Sequence, residues 1–415
     1  VIMTSTATKT YEYEVVDPRG KRSKGKLDAS TESAAALALR QQGVVPLSIN
    51  ESGTGLQKDI KIPGFGNRTS LKDLAIFSRQ FATMTSSGLS LLRSLAILEE
   101  QTSKPSLQKA VHDVRRDIES GLSLSASMTK QDKTFPRLMV AMIRAGETGG
   151  FLDSALDRVA TNLEKDANLR AKIKSALTYP VIVICFSLIM ITGVLIFIVP
   201  IFQKMFSSLG GKLPLPTQIL VTLSNQMLWI APLSVGLGVG GTILFKRKLH
   251  DDYAWRLAFD TFKLRLPVFG KLLTKIAISR FSRNLGTLLA VGVPIMQALD
   301  IVGATTGNAV IGEAMKDVAA SVRDGQPMSA PLVKHPIFPA MVTQMLEVGE
   351  ETGQVSAMLD KVADFYDHEV EVATESLTAA IEPVMVVVMG GLVGSMVICL
   401  YLPMFTIYQN VQGAN

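Results

Sequence analysis

The sequence predicts a mainly α-helical integral membrane protein. It has two repeated cytoplasmic helical bundles of about six helices each, three transmembrane helices and a small N-terminal ββαβ module. Three observations carry this reading. The 415 residues are 47% hydrophobic and only 19% charged, where soluble chains carry roughly 25% charge. The apolar excess is gathered into long runs without charge. And the segment before the first run recurs, in order, before the last.

Residues 1–50 read as the ββαβ module. Residues 11–16 alternate as a strand. Asp17-Pro18-Arg19-Gly20 is a turn with Pro at its second position and Gly at its fourth. Residues 24–27 return as a second strand. Residues 31–42 are helical with Gly43 as stop, and 44–49 form a third strand. Residues 51–69, rich in Gly, Pro and polar side chains, read as a linker. The stretch Gly20-Lys21-Arg22-Ser23-Lys24-Gly25-Lys26-Leu27 comes close to a phosphate-binding loop. That loop needs Ser or Thr last, to ligand magnesium, and joins a strand to a helix. Leu27 has no hydroxyl and the stretch crosses a hairpin, so a solvated basic hairpin is the better reading.

Residues 70–178 form the first bundle. Ser70-Leu71-Lys72-Asp73 resembles a capping box, with an acid at the third helical position. Leu71, Leu74, Ala75, Ser78 and Phe81 follow at helical spacing. Gly88, Pro105, Gly121 and Gly146 punctuate the pattern at helix-hairpin intervals.

Residues 181–199 then carry no charge over 19 positions, and 384–402 repeat this. A helix of that length spans about 28 Å, close to the hydrocarbon thickness of a bilayer. The expected spans are 180–200 and 383–402. Residues 219–245 are also uncharged, with polar Ser224-Asn225-Gln226 at their start, so the middle span is placed at 227–245. Lys165, Arg170, Lys172 and Lys174 precede the first span. Lys246, Arg247, Lys248, Arg256, Lys263 and Arg265 follow the second, whereas 200–226 hold only Lys204 and Lys212. This asymmetry places the N-terminus and both bundles in the cytoplasm and an external loop at 201–226. The tail 403–415 is external by parity, since 363–415 contain neither Lys nor Arg.

Residues 274–381 form the second bundle, a copy of the first. Phe77-Ser78-Arg79-Gln80 recurs as Phe281-Ser282-Arg283-Asn284, and Phe135-Pro136 as Phe338-Pro339. Gly146-Glu147-Thr148-Gly149-Gly150 recurs as Gly349-Glu350-Glu351-Thr352-Gly353. Tyr179-Pro180, at the mouth of the first span, becomes Glu382-Pro383 at the last. The offset is 204 residues, falling to 203 after one deletion.

The duplicated Phe-Ser-Arg helix, the Gly-Glu turn and the X-Pro step into each outer span resemble one family. It is the inner-membrane platform protein of type IV pilus and type II secretion machines, called PilC or GspF. The resemblance covers about 71–410, and the N-terminal module looks like the one many members carry. It implies a multi-pass bacterial inner-membrane protein without catalysis or cofactor of its own. Implied partners are a hexameric assembly ATPase on the cytoplasmic side, pilin or pseudopilin transmembrane helices, other inner-membrane assembly components, further copies of the chain and the bilayer. Pilus assembly is the first reading, with a secretion or DNA-uptake pseudopilus as the alternative and an oligomeric transporter behind both.

Candidate interface or structural residues follow. Gly146-Glu147 and Gly349-Glu350 suit helix–helix turns in which Gly146 and Gly349 supply left-handed C-caps, with Gly150 and Gly353 in the same motifs. Glu147, Glu350 and Glu351 fit just before or within the next helix's first turn, where the dipole favours an anion, or a partner-facing loop. Arg79 and Arg283 lie among apolar neighbours and need paired acceptors, within the bundle or on a partner. Glu382, beside Pro383, is an acid near the bilayer, where Tyr179 beside Pro180 suits the interface. Gly236 with Gly240 and Gly390 with Gly394 are spaced for close helix packing. His112, His250, His335 and His368 do not pair at metal-ligand spacing.

Charge divides unevenly. Residues 1–70 carry +3, 71–180 carry +4, 246–283 carry +7 and 284–383 carry −10. The basic residues flank spans or sit in the first bundle without aromatic interleaving, so nucleic acid is not a partner. The acidic second bundle presents a field opposite to the first, so the two copies should contact different surfaces, one bundle against the other or separate sites of the ATPase.

Overall fold

The computed structural model describes residues 9–16, 22–29, 32–41, 45–51, 69–208, 214–267 and 269–412. The chain divides into two compact units, residues 1–67 and 68–415.

In the first unit, Lys9–Val16 (β1), Arg22–Ala29 (β2), Glu32–Gln41 (α1) and Val45–Glu51 (β3) follow in order. The sheet runs β2-β1-β3 and both pairings are antiparallel. Helix α1 buries Ala35 and Leu39, and Ala35 clusters with Tyr11 and Ala29. Tyr13 faces Gly25 across the ladder, and a side chain at Gly25 would collide with the Tyr13 ring. Lys24, Gly25 and Lys26 therefore belong to a strand, the wrong geometry for a phosphate loop. The turn at 17–20, Gly43 and residues 52–68 of the linker lie outside the described residues.

The second unit is helical throughout its described residues. The first bundle comprises Leu71–Ser86 (α2), Leu91–Gln101 (α3), Pro105–Glu119 (α4), Leu124–Thr129 (α5), Arg137–Gly149 (α6) and the start of Leu152–Gly193 (α7). The expected capping box forms at α2. Ser70 Oγ accepts from the Asp73 amide at 3.2 Å and Asp73 accepts from the Ser70 amide at 3.1 Å. The second bundle repeats the order with Phe269–Ala290 (α11), Ile295–Thr305 (α12), Ala309–Arg323 (α13), Ser329–Leu332 (α14), Ala340–Thr352 (α15) and the start of Val355–Gln412 (α16). Matched aromatics hold matched places. Phe77 packs on Phe135 with centroids 6.0 Å apart, and Phe281 on Phe338 at 5.1 Å. One apolar core runs through both bundles.

The boundaries expected at 178–180 and 381–383 fall inside helices. Helix α7 passes through Pro180, continues as a π-helical turn at Val194–Ile198 and then as Val199–Ser208 (α8). Helix α16 runs 58 residues through Pro383, about 87 Å at 1.5 Å per residue. A proline inside a helix frees the carbonyl four residues earlier. For Pro180 that is Ala176 O; Thr378 Oγ1 of α16 lies 3.5 Å from it while donating to its own helix at Thr374 O, 2.9 Å away. The π-helical turn just before Pro200 opens the ladder where the ring would otherwise clash. Its Leu195 carbonyl accepts from Ser224 Oγ at 2.5 Å.

Most of the segment expected as an external loop, 201–226, is helical. Residues 201–208 belong to α8, and Leu215–Asp251 form one helix (α9). Val221 packs with Leu195, Val199 and Leu400, and Thr217 Oγ1 donates to Cys399 O of α16 at 2.5 Å. The polar Ser224 that marked a boundary in the sequence is thus a bond between helices. Tyr253–Arg265 (α10) links α9 to the second bundle. The runs Leu152–Met205 and Val355–Leu402 are long and apolar enough to cross a membrane. In α9, Ile219, Trp229, Leu233, Leu237, Ile243 and Leu244 are exposed.

Candidate functional site

The duplicated Gly-Glu turn is built alike twice. Gly150 (φ +76°) and Gly353 (φ +69°) end α6 and α15 in the left-handed conformation, which costs glycine nothing. Gly146 and Gly349 lie within those helices for a different reason. A Cβ on Gly146 would stand 2.5 Å from Ala155 Cβ, and one on Gly349 would stand 2.9 Å from Val355 Cα. The next helix crosses too closely for any side chain.

The glutamates sit elsewhere than expected. Glu147 and Glu350 occupy the last turns of α6 and α15, and their carboxylates reach back to cap the preceding short helices. Glu147 accepts from the Leu124 and Ser125 amides at 2.5 and 3.0 Å. Glu350 accepts from the Met328 and Ser329 amides at 2.5 and 3.1 Å, and from Ser329 Oγ at 2.7 Å. The dipole argument holds, but for a helix before the turn in sequence, because the bundle folds α5 and α14 back over it. Glu351 is exposed.

Both arginines find acceptors inside their own bundle. Arg79 Nε and Nη2 donate to Glu164 at 2.7 Å each, Nη2 also to Thr161 at 2.9 Å and Nη1 to Asp157 at 2.6 Å. Its bonds to Glu164 hold the guanidinium pKa above its usual range. Arg283, only 7% exposed, donates to Asp367 at 2.5 Å and Asp364 at 3.2 Å. By the repeat offset, Asp157, Thr161 and Glu164 become Asp360, Asp364 and Asp367. Burial pushes the Asp360 carboxyl up.

The divergence at 161/364 serves a seam between copies. Helices α7 and α16 run side by side, joined by Lys165–Asp364 at 2.8 Å and Lys172–Glu371 at 2.6 Å. Both pairs are separated by 199 residues and lie seven residues apart along each helix, the spacing of parallel helices in near-coiled-coil contact. Leu169, Leu272, Val370 and Leu377 form an apolar cluster along the seam. Arg280 of α11 reaches Asp166 of α7 at 3.2 Å, Asn162 meets Thr287 at 3.5 Å, and Asn162, Asp166 and Arg280 border a cavity of about 130 Å³. The charge asymmetry between copies therefore has an intramolecular use: Lys165 and Lys172 of α7 lie against Asp364 and Glu371 of the acidic α16. In the sequence alone, Glu164, Asp166 and Arg280 are not singled out, and Lys165 and Lys172 are read only as orientation charges. The available signal was the pair of lysines seven apart facing acids seven apart in the other copy.

Near the apolar ends, Tyr179 is 56% exposed, Pro180 is buried, and Glu382 and Pro383 are exposed. An added Cβ at Gly236, Gly240, Gly390 or Gly394 would meet nothing within 4 Å, so the close packing they suit does not occur within one copy. An apolar groove of about 470 Å³ lies between α7 and α16, lined by Phe186, Met190, Val194, Met389, Val393 and Met396 among others. Among the described residues, His112 pairs with Glu99 and His335 with Asp317.

Comparison with known proteins agrees with the duplication. The type II secretion system (T2SS) protein F family matches residues 77–200 and again 281–403. The N-terminal domain of type II secretion system protein F matches residues 7–50. The type IV pilus assembly protein PilC of Thermus thermophilus is 44% identical over 96% of this chain and 98% of its own length. That of Myxococcus xanthus is 38% identical over 98% of this chain and 97% of its own. The type II secretion system protein F of Xanthomonas campestris is 31% identical over 95% of this chain and 98% of its own. With two copies of its repeat matched and relatives aligned from end to end, the chain belongs to the type II secretion system protein F family.

Proposed function

We propose that this chain is the inner-membrane platform of a type IV pilus assembly machine, coupling a cytoplasmic assembly ATPase to insertion of pilin subunits. One observation carries the choice within the family: near full-length identity of 44% and 38% to proteins named for type IV pilus assembly, against 31% to one named for secretion. In this reading the bundles at 70–178 and 274–381 face the cytoplasm and bind the ATPase. The segments 180–200, 227–245 and 383–402 cross the membrane, with α9 as the middle span and 403–415 outside. The long uninterrupted helices support coupling. Since α7 and α16 pass from bundle to apolar segment without a joint, a rotation of the bundles is carried into the bilayer rather than lost in a linker. The groove between α7 and α16 suits a pilin or pseudopilin transmembrane helix, and the open glycines of α9 and α16 suit contacts with other copies. The chain performs no chemistry of its own.

Deleting the gene in its host should remove surface pili while leaving protein secretion intact, and the detergent-solubilised full chain should retain the assembly ATPase on an affinity column. Intact pili with blocked secretion would transfer the chain to a type II secretion machine.

A further inference from the structure

Helix α10 lies outside both matched repeats. Its inner face is anchored. Asp260, 3% exposed, accepts from the Ala309 amide at 2.9 Å and pairs with Lys263 at 2.5 Å. Tyr253 Oη donates to Glu313 at 2.5 Å. The opposite face is apolar and uncovered. At 100° per residue, Trp255, Ala258 and Phe262 fall within an arc of about 60°, and Trp255 and Phe262 are 46% and 59% exposed. Arg265 flanks this arc on one side, Arg256 and Lys263 on the other. Lys246, Arg247 and Lys248 stand at the end of the uncharged stretch of α9, four residues before the helix, with Asp251 and Asp252 between. Lys248 Nζ sits 4.1 Å from the Trp255 ring, and Phe245 meets Phe259 edge to face at 4.9 Å. Lys246, Arg247, Arg256 and Arg265 are exposed and form no ion pair with any described residue.

We propose that α10 is an interfacial helix that seats Trp255 and Phe262 in the membrane surface and binds acidic lipid headgroups through Lys246, Arg247, Arg256 and Arg265. The proposal rests on α9 being a membrane span. Three features name a lipid surface as the occupant. The cations begin one residue after the apolar stretch of α9 ends. Tryptophan is the side chain favoured at headgroup depth. And an exposed apolar arc edged by cations is the pattern of helices that lie in the interface, where each cation adds attraction to anionic lipid. The helix also has a mechanical place: it fastens the second bundle to the membrane at its start, as α16 does at its end.

The full chain contains two tryptophans, Trp229 in α9 and Trp255 in α10. The test uses W229F and W255F chains, each with one tryptophan, reconstituted in phosphatidylcholine vesicles with or without phosphatidylglycerol. With Trp255 alone, lipids brominated just below the headgroup should quench, aqueous acrylamide should not, and phosphatidylglycerol should shift emission to the blue. Adding R256Q and R265Q should weaken the phosphatidylglycerol dependence roughly thirtyfold, while circular dichroism stays unchanged because both side chains are exposed. Acrylamide quenching of Trp255 regardless of lipid would overturn the proposal. Protection of Trp255 from both quenchers would also overturn it, because protein would then cover the face. The Trp229 chain separates the two readings. Quenching by deeply brominated lipid keeps α9 as a span whatever Trp255 does. Its absence would remove the span and the interfacial helix together.

Discussion

Truncating the duplicated glutamate tests whether the Gly-Glu turn is a cap or a free partner loop. In Glu147→Ala the amides of Leu124 and Ser125 lose their shared carboxylate. A hydrogen bond to a charged acceptor contributes about 1.5–3 kcal/mol, and the part-buried setting lets water replace some of it. Two such bonds give an expected cost of about 2 kcal/mol. Glu350→Ala removes a third bond, from Ser329 Oγ, so its cost should reach about 3 kcal/mol. The Gln variants keep one acceptor oxygen without the charge and should lose about half as much. Hydrogen exchange by mass spectrometry on the detergent-solubilised chain reads this locally. A loss of 2 kcal/mol should speed exchange at residues 124–125 by about thirtyfold, and Glu350→Ala should speed 328–329 more. The melting temperature of Glu147→Ala should fall by roughly 4–8 °C. If exchange at 124–125 is unchanged in Glu147→Ala, the carboxylate is not a cap, and its repetition must be explained by a partner instead.

Gly146→Ala places a methyl 2.5 Å from Ala155 Cβ and should destabilise by about 1–2 kcal/mol after the better helix propensity of alanine is counted. Gly390→Ala, with nothing within 4 Å, should be neutral or stabilising in thermal melts, and a reversed ranking would break the close-crossing argument. Asp360→Asn should raise the melting temperature at neutral pH, since burial already disfavours its charge. Asp157→Asn, which loses only an exposed pair to Arg79, should cost less than about 1 kcal/mol. The Arg79 bonds hold the Glu164 carboxyl below its ordinary value of 4.5. Because the folded pKa is the lower one, that stabilisation is complete above 4.5 and disappears as pH falls through the folded pKa. Melting scans should therefore drop below that pH, and Glu164→Gln should flatten the drop.

The sequence by itself determined the duplication, the mainly helical class, the apolar runs of α7 and α16, and the matched landmarks of each copy. These are local or periodic signals. Phe77 and Phe281 sit at helical spacing, Ser70 and Asp73 cap the residues beside them, and a charge-free run declares itself wherever it lies. It could also say that Arg79 and Arg283 needed acceptors. Only the tertiary structure decided which. Glu164 is 85 residues from Arg79, and Lys165 is 199 from Asp364, so neither pairing leaves a trace in local pattern. The same holds for Glu147, whose turn is legible but whose carboxylate travels back to a helix 22 residues earlier. The prolines misled for a related reason. Pro180 marked a boundary because it frees the Ala176 carbonyl, and that cost was visible in the sequence. The packing that keeps α7 helical there, Leu169 against Val370 and Leu377, comes from the other copy, and only folding brings the copies together.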